Sequence, residues 1–454
     1  ATTSTSTTLS DEITIKTSVD PNAEPPTGYI IDSWTEKSSF EAKNNNAWIS
    51  ATTSEDGQNI VAISRWEINP ANVTYQSSAH TSSDGGNTWE TANSGSTGFR
   101  IPLDCATDST GSHYIWLESD GNDWKTRITY RQEASVNASL TEIFYAQLYS
   151  NQVRMLHCKI SDAVSNVHTN SHFPCYMVGT SSYGIMIYNP VTHEFNFHSR
   201  YSNISNVDNL IYNADMEYAN LNYYIDCAIS RNGQYMLTTG RHVMISNDFG
   251  ASFTRIDETL LSGFDDTKYN FGDMSIDGQY VVICNDSGNI WYSSDYGVSF
   301  STTSIDGASD LKAIKVRGEK VIIGGLNGKI YESTNYGQTF KAGNDLSSTN
   351  LTITDIVHYK DGDLDKFIVI PSVTNDATTQ LQYGVAGELA SSDSYPVKLN
   401  KDLVIFDVTA YDSSKIYPDV LLDDTTKFIL DSSVTEYNIF SNIRFEGATD
   451  CDGS

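Results

Sequence analysis

The chain has 454 residues, with 28 lysines and arginines against 57 aspartates and glutamates, which gives a formal net charge of −29. Proteins that coat nucleic acid need clustered cations to displace counterions, so this balance argues against nucleic acid as a partner. It also disfavours docking on anionic membranes, and no apolar run approaches the roughly 18 residues that membrane insertion needs. Hydrophobic residues make up 39% of the chain, which predicts a folded protein with a sizeable core.

The first 45 residues show little regular patterning. Residues 1–10 form a low-complexity Ser/Thr segment, and three prolines (Pro21, Pro25 and Pro26) interrupt the stretch that follows. We therefore expect an N-terminal arm and linker over residues 1–45. The chain begins at Ala1 and not at methionine, which favours a processed N-terminus and a secretory route.

From residue 46 onward, short runs of alternating apolar and polar residues are separated by Asp-Gly, Asn-Gly and Gly-Gly pairs. This pattern is typical of β-hairpins, because these pairs adopt the positive φ angles that tight hairpin turns require. Long helical periodicity is nearly absent. The sequence therefore predicts an all-β protein.

An eight-residue motif, Ser-x-Asp/Asn-x-Gly-x-Ser/Thr-aromatic, recurs four times in the chain. Its defining residues are Ser82, Asp84, Gly86 and Trp89; Ser246, Asp248, Gly250 and Phe253; Ser293, Asp295, Gly297 and Phe300; and Ser333, Asn335, Gly337 and Phe340. An Asp/Asn-Gly-Gln turn precedes three of the four copies, and Arg317-Gly318-Glu319 is a weaker version before the fourth. Positions 248, 295 and 335 are 47 and 40 residues apart, the length of one four-stranded propeller blade.

These motifs resemble the Asp-box (BNR) repeats of the sialidase-like β-propellers. The same hairpin is similar to those of sortilin-type receptors, xyloglucan-degrading hydrolases and photosystem assembly propellers. The sequence of residues 277–280 and 290–297 also resembles that of repeat proteins of large DNA viruses of protists and algae. The resemblance implies about seven four-stranded blades over residues 46–398, with a β-rich C-terminal extension over 399–454.

The motif itself has a structural purpose. An Asp or Asn side chain accepts backbone N–H bonds in a tight turn, glycine supplies a positive φ, and the aromatic residue packs beneath the hairpin. In the family these turns lie at the blade periphery, away from any central pocket. We therefore predict a structural role for all four boxes.

Residues 99–102, Phe-Arg-Ile-Pro, match the motif whose arginine binds the substrate carboxylate in sialidases. Bidentate pairing with a carboxylate explains why that chemistry uses arginine. Here the motif follows the first box, whereas in the family it precedes it, and the contexts of the second and third family arginines are not found. Arg100 is therefore a weak catalytic candidate, and an ordinary strand start is the alternative.

Cys158 and Cys175 flank His168 and His172 in a short Cys/His-rich segment. A disulfide between the two cysteines, two unrelated thiols, or a zinc site are the three interpretations, and zinc is the least favoured because the spacing matches no zinc motif. We expect neither a metal nor another cofactor. Five sequons permit glycosylation in a secreted protein, at Asn72, Asn137, Asn203, Asn285 and Asn350.

Tryptophan side chains outside the boxes could stack on sugar rings, although interblade packing is the favoured interpretation for the five considered: Trp34, Trp48, Trp66, Trp116 and Trp124. We expect a non-catalytic extracellular or particle-surface propeller (virion, fibre or cell envelope) with a structural or adhesive role. Its expected partners are glycans, further copies of the chain or other surface proteins. A sialidase-type exo-glycosidase using Arg100 and an assembly propeller that holds a protein partner are the two alternatives.

Overall fold

The computed structural model describes most of the region predicted to form blades and little of either terminus. The described residues are 31–36, 46–69, 74–92, 100–120, 126–132, 155–164, 175–181, 184–199, 209–213, 224–265, 268, 270–308, 310–346, 351–361, 364–373, 382–386, 397–399 and 428–430. No helix in this part of the chain is long and apolar enough to cross a membrane.

The chain divides into two compact units, and the larger one, Tyr29–Gly387, holds the propeller. The smaller unit combines Ala1–Gly28 with Glu388–Ser454. The strands described within the smaller unit are Val397–Leu399 and Phe428–Leu430, which pair in parallel.

The propeller strands, numbered in chain order, form seven sheets. Strand β1 is Ile31–Glu36 and joins the last sheet. Sheet 1 contains β2 (Asn46–Thr53), β3 (Ile60–Asn69), β4 (Thr74–Ser82) and β5 (Glu90–Ala92). Sheet 2 contains β6 (Arg100–Thr107), β7 (His113–Asp120) and β8 (Thr126–Gln132). Sheet 3 contains β9 (Met155–Ala163), β10 (Cys175–Ser181), β11 (Gly184–Asn189), β12 (Glu194–Ser199) and β13 (Leu210–Tyr212).

The remaining sheets contain the three C-terminal boxes and the ring closure. Sheet 4 contains β14 (Tyr224–Ile229), β15 (Met236–Gly240), β16 (Met244–Ser246) and β17 (Thr254–Arg255). Sheet 5 contains β18 (Asn270–Met274), β19 (Val281–Asn285), β20 (Asn289–Ser293) and β21 (Ser301–Ser304). Sheet 6 contains β22 (Ala313–Arg317), β23 (Lys320–Gly324), β24 (Ile330–Ser333) and β25 (Lys341–Ala342). Sheet 7 contains β26 (Leu351–Asp361), β27 (Leu364–Val373), β28 (Gln382–Ala386) and β1.

The first strands of successive sheets pack side by side and form a closed ring. Strands β2, β6, β9, β14, β18, β22 and β26 contact one another in that order, and β26 returns to contact β2. Each sheet is antiparallel from its inner strand outward, apart from the parallel pair β12–β13. The chain is therefore an all-β propeller, as predicted.

Six of the sheets are complete blades of four or five strands, and sheet 2 has three described strands. The predicted count of seven four-stranded blades is thus not shown, because the sheet at residues 100–132 lacks a described fourth strand. The N-terminal boundary also differs from the expectation. Strand β1 lies inside the predicted arm, yet it pairs with β28 and supplies the outer strand of sheet 7. This exchange joins the two ends of the propeller unit and closes the ring through backbone hydrogen bonds.

The hydrophobic core consists of clusters between neighbouring sheets. Between sheets 4 and 5, for example, Leu237 and Trp291 are fully buried, and Trp48 lies in the cluster between sheets 7 and 1. The strands are apolar on both faces because each sheet is covered on both sides. Trp48 and Trp116 are each 3% exposed, so they are core residues, as the favoured interpretation predicted.

Candidate functional site

Each of the four boxes folds into the same hydrogen-bonded turn between the third and fourth strands of its sheet. In the second box the Ser246 hydroxyl donates to Asp248 at 2.8 Å and accepts the Gly250 N–H at 3.0 Å. The Asp248 carboxylate also accepts the Ser252 N–H at 2.9 Å and the Ser252 hydroxyl at 2.6 Å. The glycine has a φ of +76°, which explains why this position requires glycine.

The boxes at positions 82–89 and 293–300 repeat these bonds, and the fourth box adapts them to asparagine. There the Asn335 carbonyl oxygen accepts the Thr339 N–H at 3.0 Å, while its amide donates to the Thr339 hydroxyl at 2.9 Å. The terminal aromatic residues of the boxes pack inward, from Phe253 at 3% exposed to the half-buried Trp89, Phe300 and Phe340. All bonds of the motif lie within eight residues, so the sequence predicts them well.

Box and preceding turn are tied together within each blade. The residue between the Asp/Asn and the Gly of the box donates its N–H to the preceding turn in all four copies: Gly85 to Gln58 at 3.1 Å, Phe249 to Gln234 at 3.1 Å, Tyr296 to Gln279 at 3.0 Å, and Tyr336 to Glu319 at 2.8 Å. We call the surface formed by these turns and boxes the box face.

Three stacked or tilted aromatic pairs lie on the box face, one at each of three successive sheet junctions. Their ring centroids are 5.1 Å apart for Tyr176–Phe249, 4.6 Å for Tyr235–Tyr296 and 3.9 Å for Tyr280–Tyr336. The first member of each pair belongs to one sheet and the second to the box of the next. The pairs therefore clamp neighbouring blades together and also form a row of aromatic rings.

The box member of each pair has a backbone conformation that is rare for residues with a side chain. The φ angles are +61° at Phe249, +63° at Tyr296 and +59° at Tyr336. Such a conformation costs of the order of 1 kcal/mol for a residue other than glycine. Phe249 and Tyr296 nevertheless remain 38% and 39% exposed, so one side of each ring faces outward.

The second candidate surface is a cavity of about 260 Å³ at the centre of the ring, lined by the inner strands of all seven sheets. The titratable side chains that line it include Asp104, Asp226, Asp273, Asp355, Lys159, Lys315 and His157. In four inner strands the pairing with the second strand of the sheet is irregular just before a residue that lines the cavity. These residues are Ser50, Asp104, Asp226 and Asp355. Such bulges redirect side chains, here toward the centre of the ring.

The aspartates link each inner strand to the next. Asp104 accepts the N–H of Cys105 on its own strand and the N–H of Cys158 on the next inner strand, both at 2.8 Å. Asp226 reaches the Gly272 N–H of the following strand at 3.3 Å. These carboxylates therefore hydrogen-bond each inner strand to the next one along the wall of the cavity.

The charges of the wall are partly paired. Lys159 lies 3.8 Å from Asp104, and Lys315 lies 2.9 Å from Asp273. Burial alone would raise the pKa of Asp104, but Lys159, His157 and the Ser50 hydroxyl outweigh it and hold this pKa well below its usual range. Burial raises the pKa of Asp226 to about 6.

An ion-pair network crosses the ring where the inner strands end. Glu55 of sheet 1 binds both Arg231 of sheet 4 and Arg317 of sheet 6, and no two of these sheets are neighbours in the ring. Arg231 also lies 3.4 Å from Asp162. The network thus joins sheets that are not neighbours in the ring, and its residues also line the cavity.

Arg100 begins β6, with its backbone opposite Asp120, and its side chain lies outside the described residues. Its sialidase-type role therefore stays a prediction. Asp104, two residues beyond the Phe-Arg-Ile-Pro motif, and Asp108 are the acids near this motif that line the cavity. Each is 2% exposed.

The predicted disulfide is not formed. Cys158 and Cys175 are both buried thiols on adjacent strands, where Cys158 lies opposite Gly179 and Cys175 opposite Ala163. Along β9, Cys158 is five residues away from Ala163, the residue opposite Cys175, and this separation corresponds to roughly 15 Å. A disulfide needs Cα atoms within about 7 Å of each other, so this register excludes the bond. The two histidines considered with them, at positions 168 and 172, lie outside the described residues.

Glycosylation at Asn285 is also contradicted. This side chain is 0% exposed, and its carbonyl oxygen accepts the N–H groups of Ser287 and Asn289, each at 3.0 Å. A glycan has no access to a buried amide that shapes a tight turn. The other four sequons, at Asn72, Asn137, Asn203 and Asn350, lie outside the described residues and stay predictions, as do Trp34, Trp66 and Trp124 as sugar-stacking side chains.

Two sets of residues were not predicted, although the sequence carries a signal for both. The first set is the aromatic residue between Asp/Asn and Gly in three of the four boxes. The second is an aspartate inside an otherwise apolar first strand, as in Leu-Asp-Cys-Ala at 103–106 and Ile-Asp-Cys-Ala at 225–228. A lone acid in such a run indicates a buried group with a defined hydrogen-bonding role.

No protein-family model matches this chain, and no curated protein does. Among solved structures, the chain is similar to YCF48 bound to D1 peptide, with a TM-score of 0.52 and 11% identity over 80% of this chain and 100% of that one. YCF48 from Cyanidioschyzon merolae matches with a TM-score of 0.49 and 8% identity, over 78% of this chain and 98% of that one. The first of these similarities shows a shared β-propeller fold.

Proposed function

We propose that this chain is a non-catalytic propeller that binds glycans on its box face and serves a structural or adhesive role. The observation that carries the proposal is the row of three aromatic pairs on that face. Tyrosine and phenylalanine rings offer flat apolar surfaces, and sugar rings present flat patches of C–H groups that pack on them. The exposed rings of Phe249 and Tyr296 suit this kind of contact.

The aromatic pairs recur at successive sheet junctions, and this repetition supports binding of an extended ligand. One aromatic pair lies at each junction from sheet 3 to sheet 6, so neighbouring sugar residues or branches of one glycan can engage successive rings. The net charge of −29 disfavours polyanionic glycans through long-range repulsion. We therefore propose neutral or amino-bearing glycans as the ligand class.

The cavity supports a role as a scaffold. Its carboxylates accept hydrogen bonds from neighbouring strands or pair with lysines, whereas a glycosidase needs two carboxyl groups that reach the substrate. The rigid ring then serves to hold the box face in a fixed geometry. We propose that the protein lies at an extracellular or particle surface, because glycans are accessible there.

A glycan array tests the proposal directly. We expect the wild-type protein to bind a set of neutral or amino glycans, and Tyr296→Ala to lower the affinity about fivefold, because one aromatic stack is worth about 1 kcal/mol. Val298→Ala is the matched control, since Val298 belongs to the same box and is 72% exposed. Circular dichroism confirms that both variants are folded.

Two results would overturn the proposal. The first is a folded wild-type protein that binds no glycan, and the second is equal loss of binding in the tyrosine and valine variants. Binding of a peptide or protein in the absence of glycan binding would instead favour the assembly-propeller alternative. We also propose that the sheet of β6–β8 is a seventh blade, which an experimental structure with seven radial sheets of four strands each would establish.

A further inference from the structure

The Ser50 hydroxyl lies between two carboxylates where the last sheet of the ring meets the first. Its Oγ is 2.7 Å from Asp104 Oδ1 and 3.0 Å from Asp355 Oδ2. Ser50 and Asp104 are buried, at 3% and 2% exposed, and Asp355 is half-buried. The three side chains belong to sheets 1, 2 and 7, so this triad joins three blades at the ring closure.

One hydroxyl cannot satisfy two ionised carboxylates. Ser50 has a single O–H to donate and can accept two hydrogen bonds. The Cys105 thiol has one S–H, which lies within reach of both this oxygen, at 3.6 Å, and the Val61 carbonyl oxygen, at 3.8 Å, and it brings no proton to either carboxylate. The Ser50 hydroxyl proton makes one of the two Ser50–carboxyl contacts a hydrogen bond, and the other contact needs a second proton.

The surroundings decide which carboxyl carries the second proton. Asp104 already accepts backbone N–H groups on both oxygens and lies 3.8 Å from the Lys159 ammonium, so it favours the ionised form. Within the described part of the chain, the other oxygen of Asp355 accepts one hydrogen bond, from the Ile356 N–H at 2.9 Å. Burial raises the pKa of Asp355, the nearby Asp104 charge adds to this effect, and Lys159 opposes it.

We propose that Asp355 holds a proton that it donates to Ser50, and that this proton makes the ring closure a pH-sensitive latch. With the proton present, Asp355 donates to Ser50 and Ser50 donates to Asp104. When the proton leaves, two carboxylates face one hydroxyl, one contact loses its hydrogen atom, and the charges on Asp355 and Asp104 repel each other. The seam between β26 and β2 then loosens.

Other charged groups around Asp355 define how the latch titrates. Strand β2 offers Ser50 and no titratable side chain at this level, and β27 places Ile370 opposite Asp355. The charged groups that line the cavity from the remaining inner strands are Asp104 on β6, His157 and Lys159 on β9, Asp226 on β14, Asp273 on β18, and Lys315 on β22. Burial acts to lower the pKa of Lys159, but Asp104 and Asp355 outweigh it and raise this pKa, so the charge of this lysine and its effect on the triad are constant through neutral pH. Burial raises the pKa of Asp226 to about 6. Burial acts to lower the pKa of His157, but Asp104 outweighs it and raises this pKa, so the titration of Asp226 and His157 broadens the transition.

The direction of the effect follows from linkage. A carboxyl whose pKa is higher in the folded protein stabilises the fold below its unfolded pKa of about 3.9. That contribution is lost as the pH rises through the folded pKa. The seam should therefore be tightest in mildly acidic medium and loosest at neutral to basic pH.

Hydrogen exchange of the full chain, measured across pH 4 to 8, tests the latch. After correction for intrinsic exchange rates, we expect the protection of β2 and β26 amides to fall by up to tenfold per pH unit between the unfolded pKa of about 3.9 and the raised folded pKa of Asp355, because opening the seam then releases one proton, and to level off above the folded pKa. Asp355→Asn should abolish this fall, since its amide donates to Ser50 at every pH. The infrared band of protonated carboxyls should be stronger in the wild type than in Asp355→Asn, where Asp226 still contributes to it in mildly acidic medium.

Asp226→Asn is the matched control, because it removes another half-buried carboxyl of the cavity between sheets 4 and 5. The fall of β2–β26 protection with rising pH should persist in this variant, over a narrower pH range because Asp226 no longer titrates near the triad. The proposal is overturned when seam protection does not change with pH in the wild type, or when Asp355→Asn retains the wild-type response. The latch is independent of glycan binding, so either inference can fail alone.

Discussion

The carboxylate of the second box is the clearest point at which to test how the boxes stabilise the blades. Asp248→Ala removes the acceptor for the Ser252 N–H, the Ser252 hydroxyl and the Ser246 hydroxyl. Each such bond contributes about 1 kcal/mol net, but water can replace part of the lost bonding because Asp248 is half-buried. We expect a loss of about 2 kcal/mol in the free energy of unfolding.

Asp248→Asn separates the bonding geometry from the charge. The fourth box shows that asparagine supports the same turn, because Asn335 accepts the Thr339 N–H and donates to the Thr339 hydroxyl. Ser252 can likewise reverse its role and accept from an asparagine amide. We therefore expect Asp248→Asn to cost less than about 1 kcal/mol, since only the charge-assisted part of the bonding is lost.

Thermal unfolding followed by circular dichroism measures both variants. A loss of about 2 kcal/mol corresponds to a fall of about 2 to 3 °C in the melting temperature for a protein of this size. Burial acts to raise the pKa of Asp248, but the Ser252 and Ser246 bonds outweigh it and lower this pKa. The wild type therefore gains stability above the unfolded pKa and loses it on acidification, so its advantage over Asp248→Asn should shrink as the pH falls below about 4. Equal losses in the two variants, or no loss in Asp248→Ala, would refute this account.

Two further predictions concern the first sheet. In the first box, Gly85 occupies the position that is Phe249, Tyr296 or Tyr336 in the other three. Its φ is +67°, and no atom lies closer than 3.7 Å to the position that a Cβ would occupy. Gly85→Tyr should therefore stack near Tyr359 and raise the melting temperature by up to about 2 °C. Gly85→Ala adds the strain without the stack and should lower it; a tyrosine variant no more stable than the alanine variant would contradict the clamp. Glu55→Gln should cost up to about 1 kcal/mol because Arg231 and Arg317 lose their shared carboxylate, and these side chains are partly exposed. The loss should diminish in high salt, and a salt-independent loss would argue against an ionic origin.

The local parts of the fold follow from the sequence because their bonds lie within a few residues. Asp84 and Thr88 meet inside one turn, and the alternating strands and Asp/Asn-Gly turns define hairpins without knowledge of distant residues. The all-β class, the box turns and their period of 40 to 47 residues were therefore predictable. The aromatic residue of the box was visible as a pattern, but its partner on the next blade was not.

Other features depend on register and on which strands meet, and no local pattern encodes either. Cys158 and Cys175 are close in sequence, yet the β9–β10 register separates their sulfur atoms. Asn285 matches a sequon, yet it is buried beside its own turn. Tertiary structure alone decides these outcomes, because burial and pairing arise from neighbours far along the chain.

The sequence by itself determined an acidic, all-β repeat protein with four structurally equivalent turns, since hairpins and boxes are local structures. Only the tertiary structure decided that β1 closes the ring on β28 and that Ser50 meets Asp355 across 305 positions of the chain. Ring closure brings the two ends of the propeller together, so the contacts at the seam join residues far apart in the sequence. The cavity carboxylates acquire their unequal proton affinities there, because burial and neighbouring charges exist only once the blades have assembled.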